Sequence, residues 1–544
     1  MIRRRTILAG SGILLPHLAH AATDYVDLIT RGQDAPSPNI DPPCGPLNGV
    51  VITTPDALTY AYFGIPYAAP PIGPLRYASP QPHPVWTKPR NATTPGPAPI
   101  QTLVAAAAWL YDAPAAQSED CLTLNIWTPA TSGARPVMVW LHGGAWRTGH
   151  NAVAGTNGAH LAAQGDVVVV TINYRLGALG WLAHPDLKDA ETGAAANWGL
   201  QDQIAALRWV RANIASFGGD PANITLFGQS AGGSSTASII QDPRNAGLVH
   251  RAIIESGSLH GAPGFPEMAT AAAYAEALAK RLNTTIPGLR TIDAETLHRT
   301  ELALARDPAS VRSLGRPPVL PVLDGVVLKQ WPRDAQMAPI PLLIGTTLTE
   351  GTFWFDLIAP DGKPIPGLQS PDTLEKLQSM IIDLAAIYQP ERAARAVTMA
   401  GAYLTAAQAR QEPETPKALW IAAYTDIVFR LRAREAATRH ARAGHPTWLY
   451  QFDHPLAAPA HGVPHTAEIP FAFGTYADPF FAEKLGTGPA ETDLSRSMLA
   501  AWARFAHTGT PGPNWQQATA TALPVNHLGA PETPTTARRE ELEA

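Results

Sequence analysis

A serine hydroxyl becomes a nucleophile when a base takes its proton, a third group holds that base, and N–H donors meet the developing oxyanion. One set of residues in this 544-residue chain has the types and spacing for that chemistry. Ser230 lies in Gly228-Gln229-Ser230-Ala231-Gly232, after the apolar run Ile224-Thr225-Leu226-Phe227 and before small residues as far as Ile240. That is G-x-S-x-G between a strand and a helix. Such a turn strains the serine backbone, and glycines at 228 and 232 leave room where a Cβ would clash. Glu350 follows the apolar run Leu342-Leu343-Ile344 in Gly345-Thr346-Thr347-Leu348-Thr349-Glu350-Gly351. Of the 17 histidines, His465 is the candidate base, in a Gly- and Pro-rich loop after Trp448-Leu449-Tyr450. The order Ser230, Glu350, His465 is the one expected when the histidine comes last.

The oxyanion donors are expected in Leu141-His142-Gly143-Gly144-Ala145-Trp146, which leaves the Val137-Met138-Val139-Trp140-Leu141 run. Small residues at Gly143, Gly144 and Ala145 let backbone N–H groups face a cavity, and Ala231 N–H, just after the serine, completes the set. A plain glycine turn is the simpler reading of the same residues. His461 competes with His465 for the base. His465 and Glu468 also have metal-ligand spacing, but no further ligands cluster near them. No cofactor and no metal are expected.

These residues need a scaffold that brings distant segments together. Continuous apolar runs at 137–141, 167–170, 252–254, 342–344 and, less cleanly, 448–450 suit strands buried on both faces. Helical periodicity separates them, as at Leu200 to Ile214, ended by Gly218-Gly219-Asp220-Pro221. This alternation predicts an α/β fold, a mostly parallel central sheet covered by helices. The Ala-, Leu-, Arg- and Glu-rich stretch 265–440 adds helices around the mouth of the site, and a last amphipathic helix runs from Leu494 to His507.

Composition sets the outer limits. The chain is 45% hydrophobic and only 16% charged, with a formal net charge of −5 and no basic runs, so nucleic acid is not a partner. The first 21 residues read as an export signal: Arg3-Arg4-Arg5, an apolar stretch from Ile7 to Leu18, and Ala19-His20-Ala21 for cleavage. The paired arginines suit the twin-arginine route. The mature chain is therefore expected in the periplasm or secreted, without a membrane span. Residues 22–529 read as one domain and 530–544 as a polar tail. Cys44 and Cys121 are open to either a disulfide or two buried thiols.

Taken together, these segments resemble the type-B carboxylesterase family, which also holds the cholinesterases and the non-catalytic neuroligins. The resemblance extends to Phe63-Gly64-Ile65-Pro66-Tyr67-Ala68, to Ser118-Glu119-Asp120-Cys121-Leu122-Thr123-Leu124-Asn125-Ile126-Trp127, to Asn173-Tyr174-Arg175-Leu176-Gly177 and to Asn197-Trp198-Gly199-Leu200-Gln201-Asp202-Gln203. It implies an α/β-hydrolase fold and hydrolysis of a small-molecule carboxylic ester through an acyl-enzyme. Ser230 would be the nucleophile, Glu350 the acid and His465 the base. Gly144, Ala145 and Ala231 would donate to the oxyanion, with Gly143 shaping the loop. A monomer or weak dimer is expected. Amide, thioester or lactone substrates are the alternatives, and a neuroligin-like binding role is disfavoured by the complete triad.

Two departures stand out. Where the family usually has Glu before the nucleophile, this chain has Gln229, which removes a negative charge from the pocket. The cysteine that usually pairs with the one in the Glu-Asp-Cys signature is missing, since that region reads Pro97-Ala98-Pro99-Ile100-Gln101. Phe353, Trp354, Phe355, Phe471 and Phe473 flank the acid and base segments and suit either a gorge wall or the core. Trp109 is a single possible element of an aromatic cage for a quaternary ammonium group.

Overall fold

The apolar runs lie side by side in one ten-stranded sheet. The structure is a computed structural model describing residues 39–53, 58–103, 109, 112–257, 265–307, 319–390, 394 and 396–529. The export signal and the polar tail fall outside the described residues. In chain order the strands are β1 (Val50–Thr53), β2 (Leu58–Pro66), β3 (Thr123–Thr128), β4 (Arg135–Leu141) and β5 (Val168–Ile172). They continue as β6 (Gly219–Gln229), β7 (Arg251–Glu255), β8 (Leu342–Thr347), β9 (Thr447–Phe452) and β10 (Val525–Leu528). Across the sheet the order is β1-β2-β3-β5-β4-β6-β7-β8-β9-β10. The pairs from β5 to β10 are parallel, and β1, β2 and β3 join antiparallel.

The unbroken apolar runs have a direct cause. Val137, Val139 and Leu141 of β4 enter one apolar cluster, while Met138 and Trp140 enter another on the opposite face. Both faces are covered, so no polar alternation is possible. Each fully buried side chain of this kind contributes roughly 1.5–3 kcal/mol. Helices α1 (Trp198–Asn213) and α2 (Ala231–Ile240) cover the first face through Leu200, Leu207, Val210 and Ile239. Between β8 and β9 the chain makes α3 (Leu374–Tyr388), α4 (Ala396–Arg410), α5 (Pro416–Tyr424), a π-helical turn at Thr425–Arg430 and α6 (Leu431–Arg442). Helices α3 to α5 and the π turn share their own apolar cluster, with Trp420 and Phe429. After β9 come α7 (Ile469–Phe473) and α8 (Pro489–Thr508), which cover the second face with Met498, Trp502 and Phe505.

The expected elements are present with shifted ends. β6 begins at Gly219, earlier than its apolar run, and a short 3-10 turn at Ile214–Phe217 precedes Gly218 at φ +76°. The last helix extends to Pro489–Thr508 because a proline at its first position is tolerated there. Cys44 and Cys121 are separate buried thiols and form no bridge. Burial pushes the Cys44 thiol up to about 12, so it stays protonated and inert.

Candidate active site

All three candidate residues stand beyond the C-terminal ends of the parallel strands β6, β8 and β9, where open α/β sheets place their ligands. Ser230 ends β6 in a sharp turn at φ +56°, ψ −120°, and α2 starts at the next residue. The turn is tight. A Cβ on Gly232 would stand 1.9 Å from the Leu141 carbonyl oxygen, and one on Gly228 would stand 2.7 Å from the same atom. Only glycine fits at either place, as the sequence suggested. Ser230 N–H donates to the Glu255 carbonyl at 2.8 Å, so the strained turn is held by β7 as well as by its own chain.

Glu350, three residues beyond β8, is fully buried. Its Oε1 accepts from the Ser256 hydroxyl at 2.6 Å and from Thr347 N–H at 2.9 Å, and its Oε2 accepts from His465 Nδ1 at 2.6 Å. With Nδ1 donating to a carboxylate, Nε2 of the neutral ring carries the lone pair a base needs. The imidazole is 2% exposed and packed between aromatic rings: Phe429 at 4.8 Å, Trp354 at 4.9 Å and Phe353 at 5.8 Å between centroids. Its Nε2 lies 3.1 Å from the Gln229 side-chain nitrogen. Gln229, which touches the imidazole, precedes Ser230 in the chain.

His461, the competing base, is exposed and bound to Asp356 at 2.8 Å, an acid that also pairs with Lys417. It belongs to a surface network. Glu468 turns inward to Ser256, its Oε1 3.5 Å from the hydroxyl, rather than joining His465 in a ligand set. Burial, with the charges of Glu255 and Glu350 adding to it, holds the Glu468 carboxyl well above the usual range. Burial likewise raises Glu255 to about 8, opposed by a 2.7 Å bond from Trp502 Nε1. Of these three buried glutamates, Glu350 alone bonds the imidazole.

The loop after β4 closes over the serine. Gly144 at φ +99°, Ala145 at +54° and Trp146 at +57° are three left-handed residues in a row. A Cβ on Gly143 would meet Gln229 Oε1 at 2.8 Å and Ser230 Cβ at 3.1 Å, so glycine lets the loop lie on the turn. The loop is anchored from behind: His142 stacks on Tyr174 with centroids 4.3 Å apart, Tyr174 Oη donates to His142 O, and Trp146 Nε1 donates to Ser235 Oγ. Burial lowers His142 to about 3, so this ring is neutral and adds no charge. Among the described residues, the N–H groups of Gly144, Ala145 and Ala231 donate to no protein acceptor. Three unpaired donors beside a half-buried serine suit an anion.

This geometry agrees with the comparisons. Residues 36–543 match the model of the carboxylesterase family. The chain belongs to the carboxylesterase family. It is 34% identical over 481 residues to the para-nitrobenzyl esterase of Bacillus subtilis, covering 86% of this chain and 90% of that protein. It is 32% identical to the human cocaine esterase, covering 92% and 90%, and 32% identical to the fumonisin B1 esterase of Sphingopyxis macrogoltabida, covering 83% and 79%. A solved PNB esterase structure superposes with a TM-score of 0.73 at 31% identity, over 93% of this chain and 99% of that one. The α/β-hydrolase fold and the serine carboxylic-ester hydrolase class follow from this membership.

The aromatic residues divide. Phe353 and Trp354 line the base, as a gorge wall would, whereas Phe471 and Phe473 are core residues with no exposure, Phe473 packed on Trp140 and Phe227. Phe355 packs on Trp420 and Tyr424. Trp109 faces the chain's own cation: Lys484 Nζ lies 5.7 Å from its ring, 3.5 Å from Phe480 and 5.3 Å from Phe481. Three site residues escaped the sequence. Ser256 leaves β7 much as Ser230 leaves β6, but without flanking glycines on both sides. Phe429 lies within a π-helical turn that no local pattern marks. Glu255 reads as the end of a strand.

Proposed function

We propose that Ser230, Glu350 and His465 carry out ester hydrolysis in two covalent steps. His465 Nε2 takes the proton of Ser230 Oγ as the oxygen attacks the ester carbonyl. Glu350 holds the imidazole in the correct tautomer and balances the charge it gains. The oxyanion is met by Gly144, Ala145 and Ala231 N–H, with Gly143 as the hinge that lets the loop approach, and each donor is worth roughly 2.7–4 kcal/mol. His465 then gives its proton to the leaving alcohol. Water repeats the sequence on the acyl-enzyme and frees the acid. The observation that carries this reading is the 2.6 Å contact between His465 Nδ1 and Glu350 Oε2, together with a serine held in a strained turn at the end of β6.

The reading includes export as a periplasmic or secreted monomer or weak dimer, supported by the basic start and apolar stretch of residues 1–21. No helix among the described residues is long and apolar enough to cross a membrane. The test is hydrolysis of p-nitrophenyl esters from acetate to long acyl chains, with amide, thioester and lactone probes beside them. Ester turnover that Ser230→Ala abolishes supports the assignment, and turnover of another acyl class alone would replace the ester by that class.

A further inference from the structure

Two peptide planes connect the oxyanion loop to a buried acid outside the triad. In a trans peptide the C=O and the following N–H point in opposite directions, so fixing one aims the other. The Gly144 carbonyl accepts from Arg147 N–H and Thr148 N–H, both at 3.0 Å, and from Thr148 Oγ1 at 3.2 Å. Those bonds turn the Ala145 N–H the other way, and among the described residues it donates to no protein acceptor. The Trp146–Arg147 peptide is held at both ends as well. Arg147 N–H donates to Gly144 O, and Trp146 O accepts from Gly177 N–H at 2.8 Å. Gly177 opens the short helix Gly177–Trp181, whose Trp181 packs on the Trp146 ring.

Glu301, on the helix Ala294–Arg306, grips both parts of this relay. It is 1% exposed. Its Oε1 pairs with Arg147 Nη1 at 3.2 Å, and its Oε2 accepts from Ala178 N–H at 2.9 Å. Gly177, at φ +53°, lets the carboxylate come close, since a Cβ there would stand 2.9 Å from Oε2. His298 Nδ1 lies 4.0 Å from Oε2, but burial lowers this histidine, so its ring is neutral, and its Nε2 is bonded to Thr102 Oγ1 at 2.9 Å. Arg147 therefore supplies the charge that balances a carboxylate taken out of water.

We infer that Glu301 is a positioning residue for the oxyanion site: through Arg147 and Ala178 it sets the turn that aims the Ala145 N–H. This rests on Ser230 being the nucleophile and on that N–H being an oxyanion donor. Ala145 and Trp146 are left-handed residues with side chains, and such a shape persists only where its surroundings impose it. His142 and Tyr174 hold the first half of the loop, and Glu301 holds the second. Neither Glu301 nor Arg147 belongs to the triad or donates to the oxyanion. Loss of their pair is therefore read in transition-state stabilisation rather than in substrate binding.

The test compares wild type, Glu301→Gln, Arg147→Met and the double variant on p-nitrophenyl acetate. Beside it stands the inhibition constant of trifluoroacetone, whose hemiketal with Ser230 carries the same oxyanion. Glu301→Gln keeps an acceptor for Ala178 N–H and removes the charge. Each single variant should lower kcat/KM by roughly 10- to 100-fold, short of the 10²- to 10³-fold cost of losing a donor outright, with KM near wild type. The ketone should bind more weakly by a similar factor. The double variant should be no worse than the worse single, because both changes break one brace. A pair that only adds stability would lower the melting temperature and leave kcat/KM and the ketone within about twofold of wild type. That result, a rise in KM with kcat unchanged, or losses that multiply in the double variant would each overturn the inference. Should Glu301→Gln not fold, as judged by its melting curve, Arg147→Met decides alone. Failure of the nucleophile assignment would look different: Ser230→Ala would retain wild-type hydrolysis.

Discussion

Ser230 and Glu255 are joined backbone to backbone, the serine N–H donating to the glutamate carbonyl at 2.8 Å across the seam between β6 and β7. This bond fixes the direction in which the strained turn presents its hydroxyl. It also places Ser256, the next residue, where its own hydroxyl reaches Glu350 at 2.6 Å. The last residue of β7 and the one after it therefore hold both the nucleophile's turn and the acid.

The turn tolerates no added methyl. Gly232→Ala puts a Cβ against the Leu141 and His142 carbonyls, neither of which is the end of a flexible side chain. We expect a loss of about 1–3 kcal/mol of stability from overpacking. Activity should fall further than stability, because the oxyanion loop and Ser230 move apart. Urea unfolding and kcat, measured together, check the two effects.

Glu350 and Ser256 should separate by size of effect. Glu350→Gln keeps the volume but favours the wrong tautomer of His465, and kcat should drop by about 10⁴-fold. Ser256→Ala removes a single charged hydrogen bond, worth about 1.5–3 kcal/mol, and kcat should fall roughly 10- to 150-fold with KM near wild type. Steady-state kinetics on p-nitrophenyl acetate decide both.

Glu255 gives a stability prediction with a definite sign. Its folded carboxyl is raised from 4.5 to about 8 by burial. Between those values the native state holds a proton that the unfolded chain has released, so this group lowers stability as pH rises. Glu255→Gln keeps an acceptor for Trp502 Nε1 and removes that penalty. The variant should match wild type near pH 4.5 and gain an advantage that grows to pH 8, on the order of a few kcal/mol, then levels off. Melting curves across that range would show an advantage growing toward acid pH if the sign were wrong.

Much of this site was legible because its signals are local. Ser230 needs its two glycines within two residues, and the runs at 137–141 and 342–344 are apolar at every position because both sheet faces are covered. What escaped depends on long-range approach. Phe429 reaches His465 only through a π-helical turn in the excursion between β8 and β9, and the Gln229 contact joins residues 236 apart. Phe471 and Phe473 show the reverse case, flanking the base in sequence while turning into the core. β10 went unread because Val525-Asn526-His527-Leu528 is short and half-exposed at the sheet edge, with little apolar pattern.

Charge selectivity follows from two side chains. Gln229 beside the serine is neutral, and the ring cluster of Trp109, Phe480 and Phe481 already holds Lys484. Acetylthiocholine should therefore be no better a substrate than its neutral carbon isostere, 3,3-dimethylbutyl thioacetate. A preference of tenfold or more for the cation, about 1.4 kcal/mol, would contradict this.

The most direct test of the central claim is labelling with a fluorophosphonate, followed by peptide mass spectrometry and p-nitrophenyl acetate hydrolysis on the same sample. A single adduct on the peptide carrying Ser230, with activity lost in proportion to labelling and neither label nor hydrolysis in Ser230→Ala, is the predicted result. Stoichiometric labelling at another residue, or wild-type hydrolysis by folded Ser230→Ala, would contradict it.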